Sequence, residues 1–131
     1  MALGDYCSGI QHLGIPTGDL DKTKEFYQGL GFQTAYETCI EAKNQRVAFL
    51  QLKNLMIEAY EEPPVLKEGA INHVALDCSQ IEEAYEAAVK GGYKILSDGI
   101  EDLDFWEHGV RFFIIEGPNR ERIEFCEKCS K

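Results

Sequence analysis

Apolar and polar positions follow two rhythms along this chain, and each rhythm occurs twice. Residues 9–16 and 71–76 hold the short apolar runs IQHLGI and INHVAL, where residues two apart share a face, as on a strand. After the first run, Leu20, Thr23, Tyr27 and Leu30 recur at helical spacing. Asp19 precedes them as a helix cap, and Gly29 and Gly31 end the run. Strands are predicted next over 32–38, 45–52 and 55–61, the last two joined by Lys53-Asn54, a connection short enough for a hairpin. After the second run, Ile81, Ala84, Tyr85 and Ala88 form one helical stripe, opened by a capping box of Ser79 and Glu82 and closed by Gly91-Gly92. Strands near 93–97, 110–116 and 121–127 follow, with Gly117-Pro118-Asn119 as the turn before the last.

The two stretches are copies of one pattern. At an offset of 61 positions His73 falls on His12, Ile81 on Leu20, and Gly91-Gly92-Tyr93 on Leu30-Gly31-Phe32. Each half therefore reads βαβββ, the first over about 8–62 and the second over about 70–128, with a linker over about 62–69 that carries Pro63-Pro64. One such unit covers one face of its sheet with its helix and leaves the other bare. Two units side by side can curl their bare faces around a hollow. The expected fold is α+β: a single domain over 1–131, built of two tandem βαβββ modules that form a curved mixed sheet around a metal-containing cavity.

Strand alternation predicts what faces that hollow. Leu13 and Ile15, like Val74 and Leu76, go to the helix side, which turns His12 and His73 the other way. In LMIEAYE, Glu58 shares its face with Met56 and Tyr60; in RERIEFCEK, Glu124 shares its face with Arg122 and Cys126. Each half thus offers one imidazole and one carboxylate. Taken singly, each is better read as a satisfied strand histidine or a solvated glutamate. Their recurrence at matching positions of a repeat favours a metal. Two carboxylates in one hollow repel and resist burial, and a dication between them and two neutral imidazoles removes both penalties. The predicted ligands are His12, Glu58, His73 and Glu124 on one divalent ion, for which Ni, Zn, Co, Fe or Mn suits two nitrogens and two oxygens. Met56 and Tyr60 are expected to line the pocket wall. Arg122 is either placed to orient an anionic substrate group or simply ion-paired. Cys126 reads as a small filler and His108 as a surface or outer residue. The segment SDGIEDLDFWEHG is either a lid or a solvated loop anchored by Trp106.

Charge narrows the partners. Thirteen basic residues against twenty-three acidic ones leave a net charge of −10, which repels nucleic acid and anionic membranes and welcomes a dication. No apolar run reaches the ~18–20 residues of a membrane span, and MALGDYCSG has no signal pattern, so a soluble cytoplasmic protein is expected. Five cysteines, an odd number, fit reduced thiols; the Cys126-x-x-Cys129 pair has no second pair or nearby histidine to complete a zinc site.

These residues resemble the vicinal oxygen chelate superfamily, which includes glyoxalase I, methylmalonyl-CoA epimerase, extradiol dioxygenases and fosfomycin-resistance enzymes. The resemblance runs from about Ser8 to Lys128 and rests on IQHLGIPTGDLDKTKEFYQGLGF, MIEAYE, INHVALD and EGPNRERIEF. In the last of these Arg120 stands where the family commonly has a glycine. The set His12, Glu58, His73 and Glu124 is similar to the His/Glu/His/Glu pattern of glyoxalase I. The resemblance implies a metal-dependent, lactoylglutathione-lyase-like enzyme. It would act on a small α-oxoaldehyde–thiol adduct or related vicinal-oxygen substrate through an enediolate, with Glu124 as the base and Glu58 serving from the opposite face. It also implies a homodimer. Two other readings stand beside it: a non-catalytic, ligand- or drug-sequestering protein of bleomycin-resistance type, and a ring-cleaving dioxygenase, which usually has three protein ligands. Glyoxalases commonly carry an arginine near the position of Pro16 and an asparagine at that of Glu62, so the thiol carrier implied here is not glutathione.

Overall fold

The two copies fold as two units, with the boundary between Pro64 and Val65, inside the predicted linker. The structure, a computed structural model, describes residues 2–130. In the first unit β1 (Leu13–Thr17) leads into α1 (Leu20–Gly29), followed by β2 (Gln33–Ile40), β3 (Gln45–Leu52) and β4 (Leu55–Glu61). The sheet order is β1-β4-β3-β2, with β1 parallel to β4 and the other pairs antiparallel. Asp19 caps α1 as expected, its carboxylate accepting the Lys22 N–H at 3.0 Å. The helix buries Leu20, Thr23 and Tyr27, and the Thr23 hydroxyl meets that of Thr17 at 2.9 Å. That bond fixes which face of β1 lies under the helix. Ile57 and Ala59 share the face and are buried with their β3 partners Leu50 and Ala48, whereas Glu58 turns away.

The second unit repeats the plan with a broken edge. After β5 (Val74–Asp77) and α2 (Ile81–Lys90) come β6 (Lys94–Ile95), β7 (Glu101–Leu103), β8 (Val110–Glu116) and β9 (Arg122–Lys128). The order is β5-β9-β8-β6, with β5 parallel to β9, and β7 also pairs with β8. Its core gathers Ile81, Ala88, Val110, Phe113, Ile115 and Ile123, with Phe113 stacked on Phe125 at 4.9 Å. Among the described residues no helix is long and apolar enough to cross a membrane.

Four sequence expectations need correction. The first and fifth strands begin at Leu13 and Val74, so both histidines stand one residue before their strand rather than inside it. The strand expected near 93–97 shrinks to two residues, and the acidic segment read as lid or loop supplies β7, which pairs with β8 through Glu101, Asp102 and Leu103. Between β6 and β7 the Ser97 hydroxyl accepts the Ile114 N–H at 2.9 Å, which carries the edge across the break. Trp106 does not anchor this segment by burial: it is 72% exposed, with φ at 61° and the Lys128 ammonium 4.1 Å from its ring. Finally, the Ser79–Glu82 capping box does not form. The helix starts one residue later than that box requires, Gln80 is the N-cap, and Arg111 draws the Glu82 carboxylate away at 3.2 Å.

Candidate functional site

Parallel pairing brings each histidine to its glutamate. In the first unit Gly14 of β1 lies beside Glu58 of β4, so His12, just ahead of the strand, reaches the same face. Its Nε2 is 3.3 Å from Glu58 Oε1. In the second unit Ala75 of β5 lies beside Glu124 of β9, and His73 Nε2 is again 3.3 Å from Glu124 Oε1. Both sites are part-open to solvent. Glu124 is the most enclosed of the four side chains at 15% exposure, against 28% for Glu58, 32% for His12 and 42% for His73.

The other ring nitrogen is also occupied in both units. His12 Nδ1 lies 2.9 Å from the amide oxygen of Gln11, and His73 Nδ1 lies 2.9 Å from that of Asn72. Sequence reading passed over both amides, although the pairs Gln-His and Asn-His stand at matching positions of the repeat. Phe49 was passed over as well. It sits opposite Glu58 on β3, and its ring meets His12 edge-on at 5.6 Å. Its counterpart opposite Glu124 is Ile114, so nothing in the repeat pointed to it.

The secondary candidates divide. Tyr60 and Met56 are half-buried on the face of Glu58. A Cβ at Gly14 would stand 3.3 Å from the Tyr60 ring and 4.0 Å from Glu58 Oε1, so glycine there leaves both groups their room. Arg122 lies on the face of Glu124, and its buried Nε finds no hydrogen-bond partner among the described residues. Burial, and next the Glu124 carboxylate, push the half-buried Cys126 thiol up to about 11. It is therefore a protonated filler at neutral pH. All five cysteines are free. His108 lines an open groove of about 470 Å³ with Asp102, Asp104, Arg111 and Cys129, a lining that holds neither His73 nor Glu124.

Among the described residues no three or more His, Cys, Asp or Glu side chains gather as a metal cluster, and each unit presents a single His–Glu pair on this face. A nitrogen and an oxygen donor 3.3 Å apart, one beside the other on a sheet face, are a fit pair for a divalent cation. The profile of the Glyoxalase/Bleomycin resistance protein/Dioxygenase superfamily matches residues 9–125. The chain belongs to that superfamily. Over 127 residues it is 31% identical to the uncharacterized protein YwbC of Bacillus subtilis (strain 168), an alignment spanning 91% of this chain and 97% of that protein. Its fold is similar to that of the glyoxalase family protein from Enterococcus faecalis, with a TM-score of 0.78, 24% identity, and 93% and 99% of the two chains covered. It is also similar to the fosfomycin resistance protein FosX from Listeria monocytogenes, solved with Mn(II) and a sulfate ion. The TM-score there is 0.72 at 17% identity, with 93% of each chain covered. The mixed α+β architecture of two open sheets is that of this superfamily, whose members are often metal-dependent enzymes.

Proposed function

We propose that this superfamily member is a metal-dependent lyase or isomerase of glyoxalase type, and that His12, Glu58, His73 and Glu124 hold its single divalent cation. The observation that carries the reading is the doubled His–Glu pair, one per unit, each with Nε2 and Oε1 3.3 Å apart. FosX, a fold neighbour, was solved with Mn(II), which supports a cation in this architecture. When bound, the cation supplies a Lewis-acid charge that acidifies the C–H beside a substrate carbonyl.

The chain's own residues do the rest. Glu124, the most enclosed of the four, is the base that takes the proton from one carbon and returns it to the next. Glu58 serves from the opposite face. Tyr60 and Met56 line the wall beside Glu58, and the half-buried Arg122 on the face of Glu124 offers its guanidinium charge to an anionic group of the substrate. The substrate class is a small α-oxoaldehyde–thiol adduct or a related compound with two neighbouring oxygens. The working assembly is a homodimer.

The test is turnover of α-oxoaldehydes with a panel of thiols, glutathione included, on protein reconstituted with Ni, Zn, Co, Fe or Mn. Isomerisation with at least one thiol is expected, and Glu124→Gln is expected to lower kcat by about 10²–10⁴-fold. Tight binding of an aromatic drug with no turnover of any adduct would favour the sequestering reading instead.

A further inference from the structure

Both histidines carry their second hydrogen bond in the same way, and that recurrence has a consequence for metal binding. A neutral imidazole has one N–H and one lone pair, and the partner of one nitrogen decides which role falls to the other. At Nδ1 both rings meet a side-chain amide oxygen at 2.9 Å, from Gln11 in one unit and Asn72 in the other. The two amides differ by a methylene, yet the distance is the same. Within a strand, adjacent residues point to opposite faces and such a contact could not form. It forms here because β1 and β5 begin one residue after the histidines, which frees Gln11 and Asn72 to turn back onto the following ring.

We infer that Gln11 and Asn72 are positioning residues: each amide oxygen accepts the Nδ1–H of the next histidine, which leaves Nε2 its lone pair for the cation. The inference rests on the four-ligand site proposed above. An acceptor at Nδ1 disfavours the tautomer that would block Nε2 with a proton, holds the ring plane, and makes Nε2 a better donor.

Calorimetric titration of Zn(II) into the metal-free full chain tests this in wild type, Gln11→Ala, Asn72→Ala, Gln11→Glu and Asn72→Asp. The alanine variants are expected to bind about 10–100-fold more weakly at unchanged stoichiometry, with the metal-free melting temperature unmoved. The acid variants, which keep an acceptor and have no donor, are expected to keep wild-type affinity or better, and they decide alone should an alanine variant fail to fold. Nitrogen NMR of the Zn-loaded protein separates the hydrogen bond from added charge: a protected Nδ1–H on both rings in wild type, its protection lost on the affected ring in each alanine variant. Alanine variants with wild-type affinity, or acid variants as weak as the alanines, would overturn the inference and leave the proposed function standing. A wild-type chain that binds neither Zn(II) nor Ni, Co, Fe or Mn in its place would overturn both.

Discussion

Arg46 shows how one side chain ties a helix to a sheet. From β3 its guanidinium reaches Asp21 in the first turn of α1 with contacts of 2.9 and 3.3 Å, and its backbone N–H donates to Glu61 at 2.8 Å. Hydrogen bonding to Arg46, and then its charge, hold the Asp21 carboxyl below its ordinary 3.8. A carboxyl lowered on folding contributes stability above its ordinary value and loses it as pH falls through the lowered one. Arg46→Ala should therefore lower the melting temperature slightly at pH 7, the pair being exposed, and the gap from wild type should close below pH 3.8. A gap that persists in acid would assign the effect of Arg46 to packing instead. Residues of the candidate site were legible where the repeat showed them twice: His12 with His73, and Glu58 with Glu124. Gln11 and Asn72 were visible by the same test and escaped because strand alternation was extended too far toward the N-terminus. Phe49 has no counterpart of its own kind and carried no signal.

Elements were legible where their hydrophobic period was local, and not where a distant partner decides. Residues 45–52 and 55–61 form strands as the alternation predicts, joined by a two-residue turn with Lys53 at positive φ. β7 is Glu-Asp-Leu, with no strand signal of its own, and exists because β8 offers it a free edge. The start of α2 makes the same point energetically. Its Ile81 N–H is accepted at 3.0 Å by Glu127 of β9, an anionic partner 46 residues away. Glu127→Ala should cost about 1 kcal/mol in denaturant unfolding, the usual value of a lost N-terminal partner, whereas Ser79→Ala should cost nearly nothing. Equal losses in the two variants would restore the capping box that the sequence suggested. In the turn before β9, Arg120 sits at φ 64°, the left-handed region that favours glycine and costs a side chain some strain.

At the scale of the whole molecule the duplication is the fact from which the rest follows. Two βαβββ units were readable from an offset of 61 positions, and the superfamily match over residues 9–125 agrees with that fold. A net charge of −10 favours a cation over any polyanion as the bound partner. The central proposal is that the two His–Glu pairs serve one ion. Elemental analysis of the purified protein, beside His12→Ala and Glu124→Ala, tests it most directly. About one divalent ion per chain, lost in both single variants although they lie in different units, is the result predicted for a four-ligand site. Two ions per chain, each variant losing only its own, or none after reconstitution with Ni, Zn, Co, Fe or Mn, would contradict it.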